Sequence, residues 1–139
     1  MGLKYLLDSN ILSEPAKKVP NECVMKKLAE HDGEYATASM VWHELVYGCE
    51  RLDASKRKTE LECYLAMLKE NGLIVLPYDQ RAADYYAKER VRLQQKGQTC
   101  AYVDGEIAAI AVSGNLTLVT RNIDDFKNIR GLKLENWFE

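Results

Sequence analysis

Short apolar runs alternate with stretches of helical period along this chain, and that alternation constrains its fold more than any other feature. The runs fall at residues 5–7, 35–39, 73–76, 116–120 and around 132–134, with helical stretches filling the intervals. Strands separated by helices pair in parallel, so the pattern predicts an α/β domain with a central parallel sheet. The first run, Tyr5-Leu6-Leu7, breaks off at Asp8. Read as a buried strand, it delivers Asp8 to the carboxyl edge of the sheet, where open α/β folds place their ligand sites.

The helical stretches carry their own stops and caps. Residues 11–14 read as a turn of helix ended by Pro15, because the residue before a proline is pushed out of the helical region. Asn21 is expected to cap a helix with Val24 and Leu28 at helical spacing, ending near Gly33. Ser39 is expected to cap a helix over 40–52, in which Val41, Leu45, Gly48 and Leu52 form one stripe. Glu44 lies about 70° from the middle of that stripe at helical spacing, on its border and placed to look into a cleft, whereas His43 points to the solvated side. Ser55 caps a further helix with Leu61, Tyr64, Leu65 and Leu68 inward, stopped at Asn71-Gly72, and the two form a hairpin beside the sheet. Asp79 caps a long charged helix to about Lys96. Residues 103–112 form a helix with an apolar and small-residue face and Asp104 in its first turn, and Asn122, Asp124 and Asp125 lie just past the strand that follows.

The chain has 139 residues, which favours a single domain, 1–139, with a core of its own. Its formal charge of −2 argues against a broad basic surface for gripping nucleic acid, but not against holding a phosphate through a metal ion. Cys23, Cys49, Cys63 and Cys100 form no C-x-x-C pair and have no histidine at finger-like spacing, so they read as reduced and mostly buried thiols rather than zinc ligands. No apolar run approaches the roughly 20 residues a membrane span needs, and the N-terminus does not read as a signal peptide, so a cytoplasmic location is expected. His31 and His43 have no partner at useful spacing and are expected to play surface roles.

The residues with chemistry in them are acids. Asp8 at a strand end, Glu44 on a helix border, Asp104 in a first turn, and Asn122 and Asp125 after a strand could all reach one sheet edge. Carboxylates about 5 Å apart repel by roughly 3 kcal/mol per pair at an effective dielectric near 20, so such a cluster persists only if protons or a divalent cation neutralise it. Oxygen donors without histidine or cysteine suit a hard cation, Mg²⁺ or Mn²⁺, which engages phosphate oxygens. Hydrolysis of a nucleic-acid backbone is the natural reaction of such a site.

Four ordered blocks, YLLDSNILSE, SMVWHELVYG, VDGEIAAIA and LVTRNIDDF followed by GLKLENW, resemble the PIN-domain family, and specifically its VapC-type branch of bacterial toxin ribonucleases. The resemblance runs nearly end to end. It implies a three-layer α/β/α fold and Mg²⁺-dependent endoribonuclease activity, with Mn²⁺ as a substitute. It also implies homodimerisation and inhibition by a cognate VapB-like antitoxin, and transfer and ribosomal RNA are the candidate substrates.

Carried over block by block, Asp8, Glu44 and Asp104 match the family's three acidic metal-site positions. The fourth departs: many relatives have aspartate where this chain has Asn122, and others have asparagine there with an acid three residues on, here Asp125. Asn122 and Asp125 are therefore second-rank members, acting through water. Thr120, Ser9 and Asn10 are candidates to orient ligands from behind, and Arg121, Lys127, Arg130 and Arg51 to meet RNA phosphates. The helix pair over 40–68, with Tyr47, Tyr64 and Met67, is the expected dimer surface. Two other readings stay open: a non-catalytic binding module on the same fold, and a DNA-directed nuclease using the same acids.

Overall fold

Leu6 and Leu7 are fully buried, and the strand that carries them, β1 (Tyr5–Leu7), is the middle of a five-stranded sheet. The computed structural model describes residues 2–139. Strands β2 (Tyr35–Ala38), β3 (Ile74–Leu76), β4 (Thr117–Val119) and β5 (Lys133–Glu135) complete the sheet in the order β3-β2-β1-β4-β5, every pair parallel. Among the described residues six α-helices accompany them: α1 (Ser9–Leu12), α2 (Glu22–Glu30), α3 (Ser39–Glu50), α4 (Lys56–Glu70), α5 (Gln80–Gln95) and α6 (Tyr102–Ser113). The expected α/β class with a parallel sheet flanked by helices is the one observed.

This topology locates the site before any side chain is considered. From β1 the chain steps outward to β2 and β3, then crosses back to add β4 and β5 on the opposite side. The direction of winding therefore reverses between β1 and β4, and parallel α/β sheets open a crevice at such a switch, outside the carboxyl ends of the strands. The residues that follow these two strands are Asp8 and Thr120.

Most capping expectations are met. The side chains of Asn21, Ser55 and Asp79 accept from the backbone N–H groups of Val24, Lys58 and Ala82 at 3.0, 3.1 and 3.0 Å. Ser39 does not cap α3: Ala38 holds the extended cap position without a side-chain bond, and Ser39 is the first helical residue. Pro15 does not end a helix either. It sits in a 3₁₀ turn, Glu14–Ala16, at a first-turn position where its missing N–H costs no bond.

Helix α6 is buried on nearly every side, with Ile107, Ala108, Ala109, Ile110 and Ala111 all at most 4 % exposed. Its alanines let it approach both the sheet and α5, whose Ala82, Tyr86 and Leu93 are buried against the same core. At the other edge β3 leaves Ile74 and Val75 exposed. Trp137 is buried at 1 % exposure and stacks edge-on against Tyr5, so the C-terminal aromatics pack back on the body as expected. Two smaller expectations are corrected. Cys49 is buried, but Cys23 and Cys63 are exposed, being on the outer faces of α2 and α4. His31 is not a bystander at the surface: its Nδ1 lies 2.9 Å from Glu34 and its ring stacks on Trp137. His43 is exposed, as expected.

One buried carboxylate holds the last third of the chain to α5. Glu89 is 4 % exposed and accepts from Arg92 at 2.8 and 2.5 Å and from the backbone N–H of Arg130 at 2.6 Å. The Arg92 guanidinium, with help from the Arg130 N–H and against the effect of burial, keeps this carboxyl below the ordinary glutamate range. A depressed folded value means that the stability is present above the unfolded value, about 4.3, and drains away as pH falls through the folded one. Glu89→Gln is expected to lower the thermal midpoint by roughly 5 °C at neutral pH and to flatten the acid side of the stability–pH profile. Thermal unfolding of both proteins between neutral and acid pH checks this.

Candidate active site

Asp8 caps α1 at the carboxyl end of β1, extended at φ −76° and ψ 166°, and is 9 % exposed. Its backbone N–H donates to the Val119 carbonyl at 2.9 Å, which ties it to the end of β4. One carboxylate oxygen accepts the Ser9 N–H at 2.8 Å and the other accepts the Thr120 hydroxyl at 2.8 Å. Asp8 is thus the helix cap that its position suggests, and also an acid fixed at the switch point with lone pairs to spare.

Behind Asp8 stands fully buried Thr120. Its hydroxyl donates to Asp8, accepts from the Asn122 N–H at 3.0 Å, and lies 3.4 Å from the Asn10 amide nitrogen. The Asn10 amide oxygen accepts from the Arg121 N–H at 3.0 Å. One hydroxyl therefore sets Asp8, the loop after β4 and Asn10 relative to one another. Of the candidate supporting residues, Thr120 and Asn10 act through side chains and Ser9 through its backbone. Thr120→Val keeps the shape and removes the donor, leaving one Asp8 oxygen and the Asn122 N–H without that partner. Unmet buried groups cost about 1–3 kcal/mol each, so a fall of roughly 5 °C or more in thermal midpoint is expected, together with reduced activity. Calorimetry beside an activity assay reads both.

Asp104 lies in the first turn of α6, partly buried. Burial first, and then the charges of Asp8 and Asp125, hold its carboxyl above the ordinary aspartate range. No hydrogen bond or cation is among the influences on it. Asp125 ends the 3₁₀ turn Ile123–Asp125 after β4, and with Asp104, Asp124, Thr99 and Cys100 it lines a cavity of about 250 Å³. The Cys100 thiol is pushed up to about 11 by burial and by the charges of Asp104 and Asp125. Asp104 therefore feels the charges of two acids from distant parts of the chain, Asp8 and Asp125.

Asn122 is exposed at the start of the 3₁₀ turn, with its backbone on Thr120 and its carbonyl accepting from the Asp125 N–H at 3.1 Å. Glu44 is on α3 as expected but exposed, and its charge is not among those that act on Asp104. Among the described residues, no three Asp, Glu, His or Cys side chains stand close enough to enclose a metal ion. Of the three acids expected to share the site, Asp8 acts electrostatically on Asp104, as Asp125 does, and Glu44 stands exposed on α3.

The basic candidates are partly engaged elsewhere. Arg121 lies over the Phe138 ring at 4.3 Å, Lys127 is 3.7 Å from Asp124, and Arg51 is 6.0 Å from the Tyr47 ring. The donor set itself is all oxygen and carries uncompensated negative charge, which is the chemistry a hard divalent cation requires.

Comparison with known proteins adds to this geometry. The PIN domain family profile matches residues 5–132. The chain is 34% identical to Ribonuclease VapC2 of Rickettsia felis over 138 residues, covering 96% of this chain and 97% of the relative. It is 31% identical to the tRNA(fMet)-specific endonuclease VapC of Salmonella typhimurium, with 97% and 98% covered. In the crystal structure of VapBC2 from Rickettsia felis bound to a DNA fragment from their promoter, one chain superposes with a TM-score of 0.81 at 33% identity, covering 99% of both chains.

Proposed function

This chain belongs to the PIN-domain family, in its VapC-type branch, and we propose that it is the toxin endoribonuclease of a toxin–antitoxin pair, hydrolysing RNA phosphodiester bonds at the acidic rim around Asp8. The observation that carries this reading is the fixed placement of Asp8 at the switch point, held by Thr120 and the Ser9 N–H, beside an Asp104 carboxyl raised by burial and then by the charges of Asp8 and Asp125.

Asp8, Glu44 and Asp104 would hold Mg²⁺, or Mn²⁺ in its place. A hard divalent cation bound there supplies a more acidic water and neutralises charge on the phosphate. The chain's own residues do the remaining work. Thr120 and the Ser9 N–H keep Asp8 from rotating, so its free lone pairs keep one direction. Asp125, which lines the cavity of Asp104, and Asn122, at the start of the same 3₁₀ turn, orient water toward the scissile phosphate. Arg121 and Lys127, on the rim beside them, steer the RNA backbone.

For partners, the reading implies a VapB-like antitoxin and a second copy of this chain, acting in the cytoplasm. No helix among the described residues is long and apolar enough to cross a membrane. Tyr47 and Met67 are exposed on α3 and α4 and suit a dimer contact. Tyr64 suits it less, since its hydroxyl donates to the Leu12 carbonyl at 2.5 Å within the fold.

The experiment is cleavage of transfer RNA, ribosomal RNA and single-stranded DNA by the purified protein in Mg²⁺, in Mn²⁺ and in EDTA. RNA cut only in the presence of the metal supports the reading. RNA bound but never cut would leave the non-catalytic module, and DNA cut in preference would leave the DNA-directed nuclease.

A further inference from the structure

Beside the acidic cavity lies a second hollow whose residues the proposed chemistry leaves unused. It has a volume of about 190 Å³ and is bordered by Tyr86, Arg90, Gln94, Gln98, Thr99 and Tyr102. Leu93, Thr99 and Cys100 line both this hollow and the one that holds Asp104 and Asp125, so the two form a trough that runs over the loop between α5 and α6.

At its far end Tyr102, the first residue of α6, is 59 % exposed. An aromatic ring left this open adds little to the core. Yet it is held in place: the Arg90 guanidinium from α5 lies over the ring, 4.3 Å from its centroid, and donates to the phenol oxygen. With Tyr102 this exposed, ring surface beyond the Arg90 guanidinium is open to a flat partner, and Arg90, itself exposed, is open to an anion. Gln94, Gln98 and Thr99 add amide and hydroxyl groups that can donate and accept. An aromatic face, a cation and neutral hydrogen-bonding groups in one trough are what an unpaired nucleotide recognises. A paired one cannot use them, because its base faces are already stacked.

We propose that Arg90 and Tyr102 form a subsite for one unpaired nucleotide flanking the scissile phosphate. The base stacks on Tyr102, Arg90 engages the nucleotide's phosphate, and Gln94, Gln98 and Thr99 meet the base edge. The inference rests on the endoribonuclease reading and deepens it. The enzyme selects single-stranded RNA, and part of that choice is made outside the acid cluster.

The test is binding, with cleavage measured alongside. Fluorescence anisotropy of a labelled single-stranded RNA oligonucleotide of mixed sequence, and of the same strand in a duplex, is followed in EDTA so that nothing is cut. Tyr102→Ala is expected to raise Kd for the single strand about tenfold, the value of one stacked base, with little effect on the duplex. Tyr102→Phe keeps the ring and should bind close to wild type. Arg90→Ala should reduce the slope of log K against log salt by about 0.7, the share of one phosphate contact on a single strand. Unchanged thermal midpoints show that the variants are folded.

Single-strand affinity unchanged in Tyr102→Ala, or lost equally for the duplex, overturns the subsite. If wild type meanwhile cuts RNA in Mg²⁺, the endoribonuclease reading stands without it. If wild type cuts no RNA, that reading falls and takes the subsite with it.

Discussion

Asp8→Asn is expected to abolish RNA cleavage while leaving the fold intact. The asparagine side chain has the same shape, and its remaining oxygen can still accept from the Ser9 N–H or from Thr120, which together hold Asp8. What disappears is one negative charge at the switch point and a ligand for a hard cation. Metal-assisted stabilisation of a phosphoryl transition state is worth several kcal/mol, and each 1.36 kcal/mol is tenfold in rate, so a fall of about a thousandfold in kcat/KM is expected. Single-turnover cleavage beside a thermal melt separates the two effects. Asp8→Asn cutting at the wild-type rate would remove the acid from the mechanism.

Gly105→Ala is expected to damage the site from behind. Gly105 follows Asp104 in the first turn of α6, and a Cβ built there overlaps the ring and hydroxyl of Tyr86 on α5. The glycine is required for space. Tyr86 is 6 % exposed and packed in the core, so it cannot swing aside without disturbing its neighbours. Overpacking of this kind costs about 1–3 kcal/mol, and the turn that must give is the one that carries Asp104. A displacement of about 1 Å can cost roughly a hundredfold in rate. Cleavage should fall by that order and the thermal midpoint by roughly 5–10 °C. Tyr86→Ala in the same chain makes room for the methyl group and should return much of the activity. A Gly105→Ala protein as active as wild type would show that the α5–α6 contact does not position Asp104.

Parts of this site are legible in the amino-acid sequence, and the reasons differ residue by residue. Asp8 and Asp104 are named from local pattern together with the resemblance of their blocks to the PIN-domain family. An apolar run that breaks at a carboxylate marks a strand end, and an acid just inside a helical period marks a first turn, so topology carries both to the same rim. Asp125 enters the sequence reading only as a second-rank member, yet its charge is among those that raise Asp104. The 3₁₀ turn that places it depends on Thr120 and Asn122, contacts no periodicity reveals.

Glu44 is on α3 as its helical spacing implies, and exposed there. A position on a helix face does not fix a rotamer, so the direction of a long carboxylate is not legible in the spacing. Thr120 is named as a supporting residue without any sign that one hydroxyl joins three segments. The packing of Tyr86 against Gly105, and of Arg90 on Tyr102, joins residues of two helices and has no counterpart in either helix's own pattern.

The sheet is read more fully than the site. The strand segments are found, because strands buried in a parallel sheet are apolar runs bounded by turns and helices. Helix ends shift by a residue or two where the cap is made by backbone alone, as at Ala38 before α3. The exposure of Ile74 and Val75 is missed for a related reason: an apolar run does not distinguish an edge strand from a central one.

The central claim is that acids distant in the chain come together at one rim to hold a hard divalent cation. Crystals grown with Mn²⁺ and measured at its absorption edge test it most directly. The account predicts an anomalous peak bounded by the carboxylates of Asp8 and Asp104, with Glu44 turned inward from its exposed position. Strong data with no peak at that rim, or a peak bound elsewhere on the molecule, would contradict it.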